Sequence, residues 1–221
     1  MKTVKIYVSP SSQTENRYVL GDTNEAEQCR AIAQVLVEAL QRCGFEAVAG
    51  MQGDMYRRVG ESDSFGADLH LPIHTNAYNK KVAGTRIYCY DTAGTGYRVS
   101  KAILAALAPI TPGTSDSINA RKTLYEIYKP KAPTAYVEVG FHDNEQEARW
   151  IIDNTRPIGE AICKGICNHY GVAYREPEEA VLYRVQVGAF ENPDNARTMK
   201  EKLKAAGFPG FVVRQERGDD E

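Results

Sequence analysis

The sequence predicts an α/β fold, in which a mostly parallel, twisted sheet carries helices on both faces. Segments with the pattern of β-strands alternate with segments of helical periodicity along most of the chain, as in repeated βαβ units. Some of the strand segments are largely apolar, which is typical of parallel strands buried on both faces. We predict a main domain over residues 1–175, a charged, proline-containing linker over residues 176–180 and a small C-terminal βαβ fragment over residues 181–221.

The first half of the main domain contains two strand–helix pairs and a third strand. Residues 3–8 alternate and are rich in β-branched side chains, as strands are. A helix is predicted from Glu25 to Cys43, because apolar residues recur at helical spacing between Asn24, a suitable N-cap, and Gly44. The remaining predicted elements are a strand over residues 45–49, a helix over residues 51–66 and an apolar strand over residues 67–74.

The second half continues the same alternation. Residues 84–91 have the composition of a strand, and residues 93–107 have helical periodicity. A further strand is predicted over residues 135–141, followed by one or two helices over residues 145–170. Beyond the linker, the predicted elements are a strand over residues 181–190, an amphipathic helix over residues 193–206 and a strand over residues 208–214.

Composition excludes several classes of protein. The 221 residues are 43% hydrophobic and 25% charged, which is ordinary for a globular protein and excludes collagen-like, disordered and disulfide-scaffold chains. The net charge of −2 argues against nucleic acid as the main partner. The longest apolar run, residues 102–110, is far shorter than the ~20 residues that cross a bilayer. The N-terminus lacks a signal-peptide pattern, so we expect synthesis in the cytoplasm and no membrane partner.

The five cysteines have no zinc-binding or redox-motif spacing. Cys29 lies among apolar residues at helical spacing, and Cys163 and Cys167 are four residues apart on a predicted helix. We expect buried, reduced thiols and synthesis in a reducing compartment.

Polar side chains collect where the predicted strands end. In parallel sheets, ligands bind beyond the carboxyl ends of the strands. The residues expected there are Glu25, His74, Glu138 and the loop at residues 9–13. One imidazole, one carboxylate and a further oxygen or nitrogen donor suit Zn²⁺, and a separate carboxylate can act as a base for the water that the metal activates.

Each of these side chains also has a structural interpretation. His74 taken alone is also compatible with a hydrogen-bonded structural histidine, and Glu25 with a carboxylate that stabilises a helix N-terminus. Glu138 is different, because an acid flanked by apolar residues costs free energy unless it is paired or functional. We therefore predict a functional role for Glu138.

Two motifs resemble those of the zinc-dependent N-acetylmuramoyl-L-alanine amidases of the amidase-3 family. They are IHTNAY at residues 73–78 and TAYVEVGFHDN at residues 134–144, and the resemblance extends over roughly residues 3–172. It implies that Glu25 and His74 bind zinc and that Glu138 is the catalytic acid and base. The implied reaction is cleavage of the amide between N-acetylmuramic acid and L-alanine of the peptidoglycan stem peptide by zinc-activated water.

The chain departs from this family at the first metal ligand. The family has a Pro-Gly-His segment after its first strand, whereas residues 9–13 contain no histidine. Gln13 is the preferred substitute through its amide oxygen, and Ser12 is a poorer one. His142 is an alternative, whereas His70 is too far along the strand from His74 to share an ion.

The missing histidine leaves two alternative functions open. One is a catalytically impaired protein that binds muropeptides or glycan. The other is a metallopeptidase that cleaves within stem peptides, which differs only in the new amine that it produces.

Three further residues, Asn76, Asn144 and Arg57, are predicted to bind substrate. The alternative for the two asparagines is that they hold loops through bonds between side chain and backbone. For Arg57, and for its neighbour Arg58, the alternative is a solvated helix face.

The C-terminal segment resembles the first half of a SPOR domain, a peptidoglycan-binding module. The matching residues are Val185–Phe190, Asn195–Ala196 and Leu203–Gly207. The resemblance implies binding to glycan strands that have lost their stem peptides, the product that an amidase leaves. Together with the expected lack of a signal peptide, it predicts a phage endolysin or a sporulation lytic enzyme that acts on the cell wall after lysis or release.

Overall fold

The computed structural model describes residues 3–178, 186–208, 210 and 212–213 of the chain. The chain divides into two units, Met1–Pro177 and Glu178–Glu221. Every helix within the described ranges is too short or too polar to cross a lipid bilayer.

The first unit is built on a sheet that has six strands within the described residues. They are β1 (Lys5–Pro10), β2 (Glu46–Ala49), β3 (Leu69–Asn76), β4 (Arg86–Cys89), β5 (Ser117–Ala120) and β6 (Tyr136–Phe141). Their order in the sheet is β2-β1-β3-β6-β4-β5. All neighbouring strands are parallel except β4 and β6, which are antiparallel. The predicted mostly parallel sheet is confirmed.

Six α-helices surround this sheet in the described part of the first unit. They are α1 (Glu25–Arg42), α2 (Met55–Phe65), α3 (Thr95–Leu107), α4 (Tyr125–Tyr128), α5 (Glu145–Asp153) and α6 (Thr155–Tyr170), and a 3-10 turn at Ala108–Ile110 extends α3. Helices α1 and α3 both contact α6 and the sheet, whereas α2 contacts β1 and α4.

The hydrophobic core lies between the sheet and the group formed by α1, α3 and α6. Ile73 of β3 and Val137 of β6 pack there with Leu36 of α1, Ile103 of α3 and Ile162 of α6, and all five are fully buried. Burial of a side chain of this size stabilises the fold by roughly 1.5–3 kcal/mol. The core thus fixes the positions of α1, β3 and β6, which carry the polar site.

Alternate strand residues point to the opposite face of the sheet, where α2 and α4 lie. Tyr7 of β1 donates a hydrogen bond to Glu61 of α2 at 2.6 Å, and the Ser9 hydroxyl donates to Glu126 of α4. His70 and His74 share this face, because four residues separate them along β3.

Helix α1 begins at a side-chain cap. Asn24 Oδ1 accepts a hydrogen bond from the Glu27 backbone N–H at 3.1 Å, and Asn24 Nδ2 donates to Glu27 Oε1 at 2.8 Å. Gly44 follows the helix with a φ of +93°, a conformation that favours glycine. The predicted cap and stop are confirmed, and the cap makes Glu25 the first helical residue.

Some elements differ from the sequence prediction. Helix α2 begins at Met55 and not at residue 51, because the Asp54 side chain accepts from the Arg57 N–H at 3.0 Å and caps the helix there. Residues 145–170 form two helices that meet at Asn154, which agrees with the prediction of one or two helices there. The sequence pattern does not reveal β5 and α4, because four residues are too few to show periodicity.

The second unit contains α7 (Pro193–Ala205), which confirms the predicted helix. The Asn192 side chain accepts from the Asp194 N–H at 2.8 Å and caps it. Of the two strands predicted around this helix, residues 181–185, 209, 211 and 214 lie outside the described residues. The described residues 186–190, 208, 210 and 212–213 are not in strands.

Candidate active site and metal-binding residues

Glu25 and His74, the two predicted metal ligands, lie in direct contact. Glu25 Oε1 is 2.8 Å from His74 Nδ1. Glu25 is 1% exposed and His74 is 5% exposed. The first turn of α1 therefore meets the end of β3 through a carboxylate and an imidazole, two donor types that Zn²⁺ prefers.

Hydrogen bonds hold the Glu25 carboxylate in its ionised form. Asn16 Nδ2 donates to Glu25 Oε2 at 2.6 Å, and the Thr75 backbone N–H donates to Oε1 at 3.4 Å. Burial raises the pKa of Glu25, but the contacts with His74 and Asn16 outweigh it and lower the pKa below its ordinary value. Glu25 is thus an anionic oxygen donor at neutral pH.

The side chains of Gln13 and Glu25 accept hydrogen bonds from the same donor, Asn16 Nδ2. Asn16 Nδ2 donates to Gln13 Oε1 at 2.9 Å as well as to Glu25 Oε2. The amide oxygen that the sequence offers in place of the missing histidine is therefore close to the Glu25 carboxylate. In the described structure the Gln13 side chain is engaged by Asn16.

Glu138 lies next to His74, because the two residues are register partners on the parallel strands β3 and β6. Its Oε2 is buried and has no hydrogen-bond partner among the described residues. Burial raises the pKa of Glu138 to about 7, although the positive charge of His74 opposes the shift. A carboxyl group with a pKa near neutrality can both accept and donate a proton at neutral pH.

The imidazole of His74 is surrounded by carboxylates. Burial lowers its pKa, but Glu126, Glu25 and Glu138 outweigh burial and raise the pKa to about 9. The Tyr136 ring stacks on the imidazole with 4.5 Å between the ring centroids. The three acids thus stabilise the protonated, positively charged form of His74 in the metal-free chain.

Glu126 is a site residue that the sequence analysis missed. It is 3% exposed, and its Oε2 lies 3.7 Å from His74 Nε2, while its Oε1 lies 3.4 Å from His70 Nε2. Burial raises its pKa, but the two histidines hold that pKa well below its usual range. The signal was present in the sequence, because Glu126 is an acid between apolar and aromatic residues, as Glu138 is.

The two arginines of α2 have different environments. Arg57 is exposed and pairs with Glu61 at 2.7 Å, so the structure does not bring it to His74. Arg58 is 2% exposed, and its Nε donates to Ser9 Oγ at 2.8 Å. The Ser9 hydroxyl in turn donates to Glu126. The interpretation of Arg58 as part of a solvated helix face is wrong, because the helix turns this residue toward the sheet.

Asn76 and Asn144 are engaged with the loops around the site. Asn76 Oδ1 accepts from the Ala77 N–H at 2.8 Å. Asn144 caps α5 through the N–H groups of Gln146 and Glu147, and its Nδ2 donates to the Val82 carbonyl at 3.4 Å. These bonds match the loop-holding interpretation of both residues, and their predicted role in substrate binding stays a prediction.

His142, the alternative metal ligand, has partners of its own. Its Nδ1 lies 3.0 Å from Thr75 Oγ1, and its ring stacks on Tyr18 with 5.4 Å between centroids. Burial lowers the pKa of His142, which favours a neutral imidazole. Among the described residues, His142 thus contacts Thr75 and Tyr18. The imidazole that contacts Glu25 is that of His74.

Three cysteine sulfur atoms form a separate cluster in the core. Within the described residues, Cys43, Cys163 and Cys167 place their Sγ atoms within 4.8 Å of one another. Burial raises the pKa of Cys163 and raises that of Cys167 to about 11. The sulfurs also lie toward the C-terminal ends of α1 and α6, where the helix dipole disfavours a thiolate. All five cysteines are free and buried, as predicted.

Comparison with known proteins gives two family matches. Residues 12–168 match the sequence model of the N-acetylmuramoyl-L-alanine amidases, and residues 173–220 match that of the SPOR domain. Among curated relatives, the N-acetylmuramoyl-L-alanine amidase CwlM of Bacillus licheniformis is 25% identical over 158 residues, which are 71% of this chain and 61% of CwlM. A sporulation-specific N-acetylmuramoyl-L-alanine amidase of Bacillus subtilis is 23% identical over 71% of this chain and 60% of its own length. The chain thus spans about three fifths of the length of these relatives.

Solved structures show the same fold. The N-acetylmuramoyl-L-alanine amidase AmiC2 of Nostoc punctiforme superposes with a TM-score of 0.68 at 18% identity, over 76% of this chain and 97% of that one. The catalytic domain of CwlV, an amidase from Bacillus (Paenibacillus) polymyxa var. colistinus, gives a TM-score of 0.69 at 17% identity, over 77% and 100%.

Proposed function

Because the chain belongs to the N-acetylmuramoyl-L-alanine amidase family, we propose that it hydrolyses the amide between N-acetylmuramic acid and L-alanine in peptidoglycan. The observation that carries this proposal is the buried contact of Glu25 with His74, directly beside the buried carboxyl group of Glu138. This arrangement combines a candidate cation site with a proton carrier, the two functions that metal-assisted amide hydrolysis requires.

We propose zinc as the cation. Glu25 Oε1 and His74 Nδ1 are suitable donors, and the ionised Glu25 carboxylate supplies negative charge directly at the proposed ion position. When bound, zinc supplies Lewis-acid chemistry, which polarises a carbonyl group and lowers the pKa of water. Gln13 is the proposed third protein donor, through a neutral oxygen that is weaker than the imidazole it replaces.

We propose Glu138 as the acid and base. In the ionised form, its Oε2 takes a proton from the attacking water molecule. In the protonated form, it delivers that proton to the nitrogen of L-alanine as the C–N bond breaks. The raised pKa of about 7 supports this role, because both forms are populated at neutral pH.

The experiment is digestion of purified peptidoglycan by the full chain, with zinc or with a chelator, followed by mass spectrometry. We expect zinc-dependent release of stem peptides that begin with a free L-alanine amine. Glu138→Gln is expected to reduce the rate by about 10²–10⁴-fold while the chain still binds zinc. Glu145→Gln, an exposed acid on α5, is the control and is expected to retain full activity.

The missing histidine supports a second candidate, a catalytically impaired muropeptide-binding protein. Zinc-independent binding of muropeptides without any new amine would favour it over the amidase. New amines within the stem peptide would instead indicate a metallopeptidase.

We propose that the C-terminal unit, through its match to the SPOR domain, binds peptidoglycan glycan strands that have lost their stem peptides. Action on the cell wall follows from both matches, and the sporulation-specific relative supports a lytic role after release. A phage endolysin is the alternative setting.

A further inference from the structure

A buried carboxylate faces the second nitrogen of His74. Glu25 Oε1 lies 2.8 Å from Nδ1, and Glu126 Oε2 lies 3.7 Å from Nε2 on the other side of the ring. Glu126 comes from α4, an element remote in sequence from α1, and is almost fully buried. The imidazole is therefore held between two acids.

The two nitrogens of an imidazole point in diverging directions, so they cannot bind the same ion. If Nδ1 serves the ion together with Glu25, Glu126 cannot join that ion from the Nε2 side. At 3.7 Å the Glu126 carboxylate is beyond hydrogen-bond distance, and Nε2 has no hydrogen-bond partner among the described residues. The nearby negative charge of Glu126 nevertheless favours the proton on Nε2, which leaves the lone pair on Nδ1. Carboxylates in this position also raise the basicity of a metal-binding histidine.

Other buried groups hold Glu126 in place. The Ser9 hydroxyl donates to its Oε1, and Arg58 Nε donates to Ser9 Oγ at 2.8 Å. Arg58 Nη2 lies 4.0 Å from Oε2, and His70 Nε2 lies 3.4 Å from Oε1. Side chains from three elements, β1, α2 and β3, thus surround this one carboxylate. Their convergence indicates that the fold holds Glu126 in a defined position.

We propose that Glu126 is a positioning residue, which orients His74 through Nε2 so that Nδ1 and Glu25 face the zinc ion. This inference rests on the proposed function. It also gives the chain a way to strengthen its remaining histidine ligand where the family's first histidine is absent.

The first test is the zinc affinity of the full chain, measured by competition with a chromogenic chelator. We expect Glu126→Gln to weaken zinc binding by about 10–100-fold, the usual effect of losing such a partner. Glu160→Gln is the matched control, because Glu160 is a largely buried acid that pairs with Arg42 away from the site. Unchanged affinity in a folded Glu126→Gln variant would overturn the proposal.

The second test needs no variant. In ¹⁵N correlation spectra of the zinc-loaded wild-type chain, we expect His74 to carry its proton on Nε2, protected from exchange, with Nδ1 bound to zinc. Zinc on Nε2 and a proton on Nδ1 would contradict the proposal. A wild-type chain that binds no zinc would refute both the zinc site and the role of Glu126, whereas zinc binding without amide cleavage would refute the proposed function alone.

Discussion

At the scale of single residues, the third ligand position sets this chain apart from the amidase pattern. Gln13 offers a neutral amide oxygen, and in this structure that oxygen accepts a hydrogen bond from Asn16. Zinc would therefore compete with Asn16 for it. The site has two strong protein donors, Glu25 and His74, where the family resemblance implies three.

Restoring a histidine should strengthen zinc binding. We expect Gln13→His to raise zinc affinity by more than about tenfold. Losing a group that only hydrogen-bonds to a metal ligand already changes affinity by about 10–100-fold, and a direct ligand contributes at least as much. Ser12→His is the comparison variant, since residue 12 is the other position that aligns with the family histidine. Chelator competition measures both, and no gain in either variant would show that the loop at residues 9–13 does not reach the ion.

Glu138 should make the metal-free protein sensitive to pH. Its pKa of about 7 in the folded chain is above the ordinary 4.5, so the folded state retains a proton that the unfolded state loses between these values. Stability therefore falls as the pH rises through this range, and the loss approaches about 3 kcal/mol above pH 7.

Glu138→Gln removes this titration. In urea unfolding with a chelator present, we expect the variant to be more stable than the wild type at pH 8 by up to about 3 kcal/mol, and nearly equal to it at pH 4.5. Glu145→Gln is again the control. The same stability difference at both pH values would mean that folding does not change the pKa of Glu138, and it would contradict the raised value.

Sequence reasoning located Glu138 because valines flank this acid. It missed Glu126, although Glu126 has the same signal between Tyr125 and Ile127. The environments of Arg57 and Arg58 were not predictable in this way. One residue turns a helix by about 100°, so the choice between the two arginines depends on where α2 begins and how it docks.

At the scale of elements, α3 and α6 approach so closely that only glycine fits between them. A Cβ atom on Gly165 would lie 2.5 Å from Ile103 Cα and 2.7 Å from the Ala102 carbonyl oxygen, and neither backbone atom can move freely. The sequence does not predict this close approach of α3 and α6, because a single glycine within a helix does not show which helix packs against it.

We expect Gly165→Ala to lower the free energy of unfolding by about 1–3 kcal/mol through overpacking. Gly60→Ala is the matched control, because a Cβ there meets no atom within 4 Å and alanine favours a helix by up to about 1 kcal/mol. Urea unfolding followed by the single tryptophan, Trp150, measures both. Equal effects of the two substitutions would contradict the close approach.

The order of long elements was predictable, and their pairing was not. Helices such as α1 and α6 have enough turns to show periodicity, and Asn24 and Gly44 mark the ends of α1. The reversal of direction between β6 and β4 depends on contacts between segments that are distant in sequence. No local pattern reports such contacts.

At the scale of the whole molecule, the two units differ in what they bury. The first unit has a continuous core, whereas the described residues of α7 in the second unit include none that is buried. The fold of the first unit is thus accounted for by its own residues.

A chain that ends at Pro177 should therefore fold and retain hydrolysis of soluble muropeptides. We expect its unfolding midpoint in urea to equal that of the full chain, and its retention on insoluble, stem-free glycan to be lost. Co-sedimentation with that glycan measures retention. A truncated chain that still sediments would place glycan binding in the first unit.

The pairing of His74 with Glu138 also bears on how this fold varies. Hydrogen-bonded neighbouring strands lie about 4.8 Å apart, so the backbone itself fixes the separation of His74, the proposed metal ligand, from Glu138, the proposed proton carrier. A change in the length of the loops between β3 and β6 would therefore not by itself separate these two side chains. The proposed chemistry thus depends on the sheet, and the loops around it could change to suit different substrates without moving these two strands.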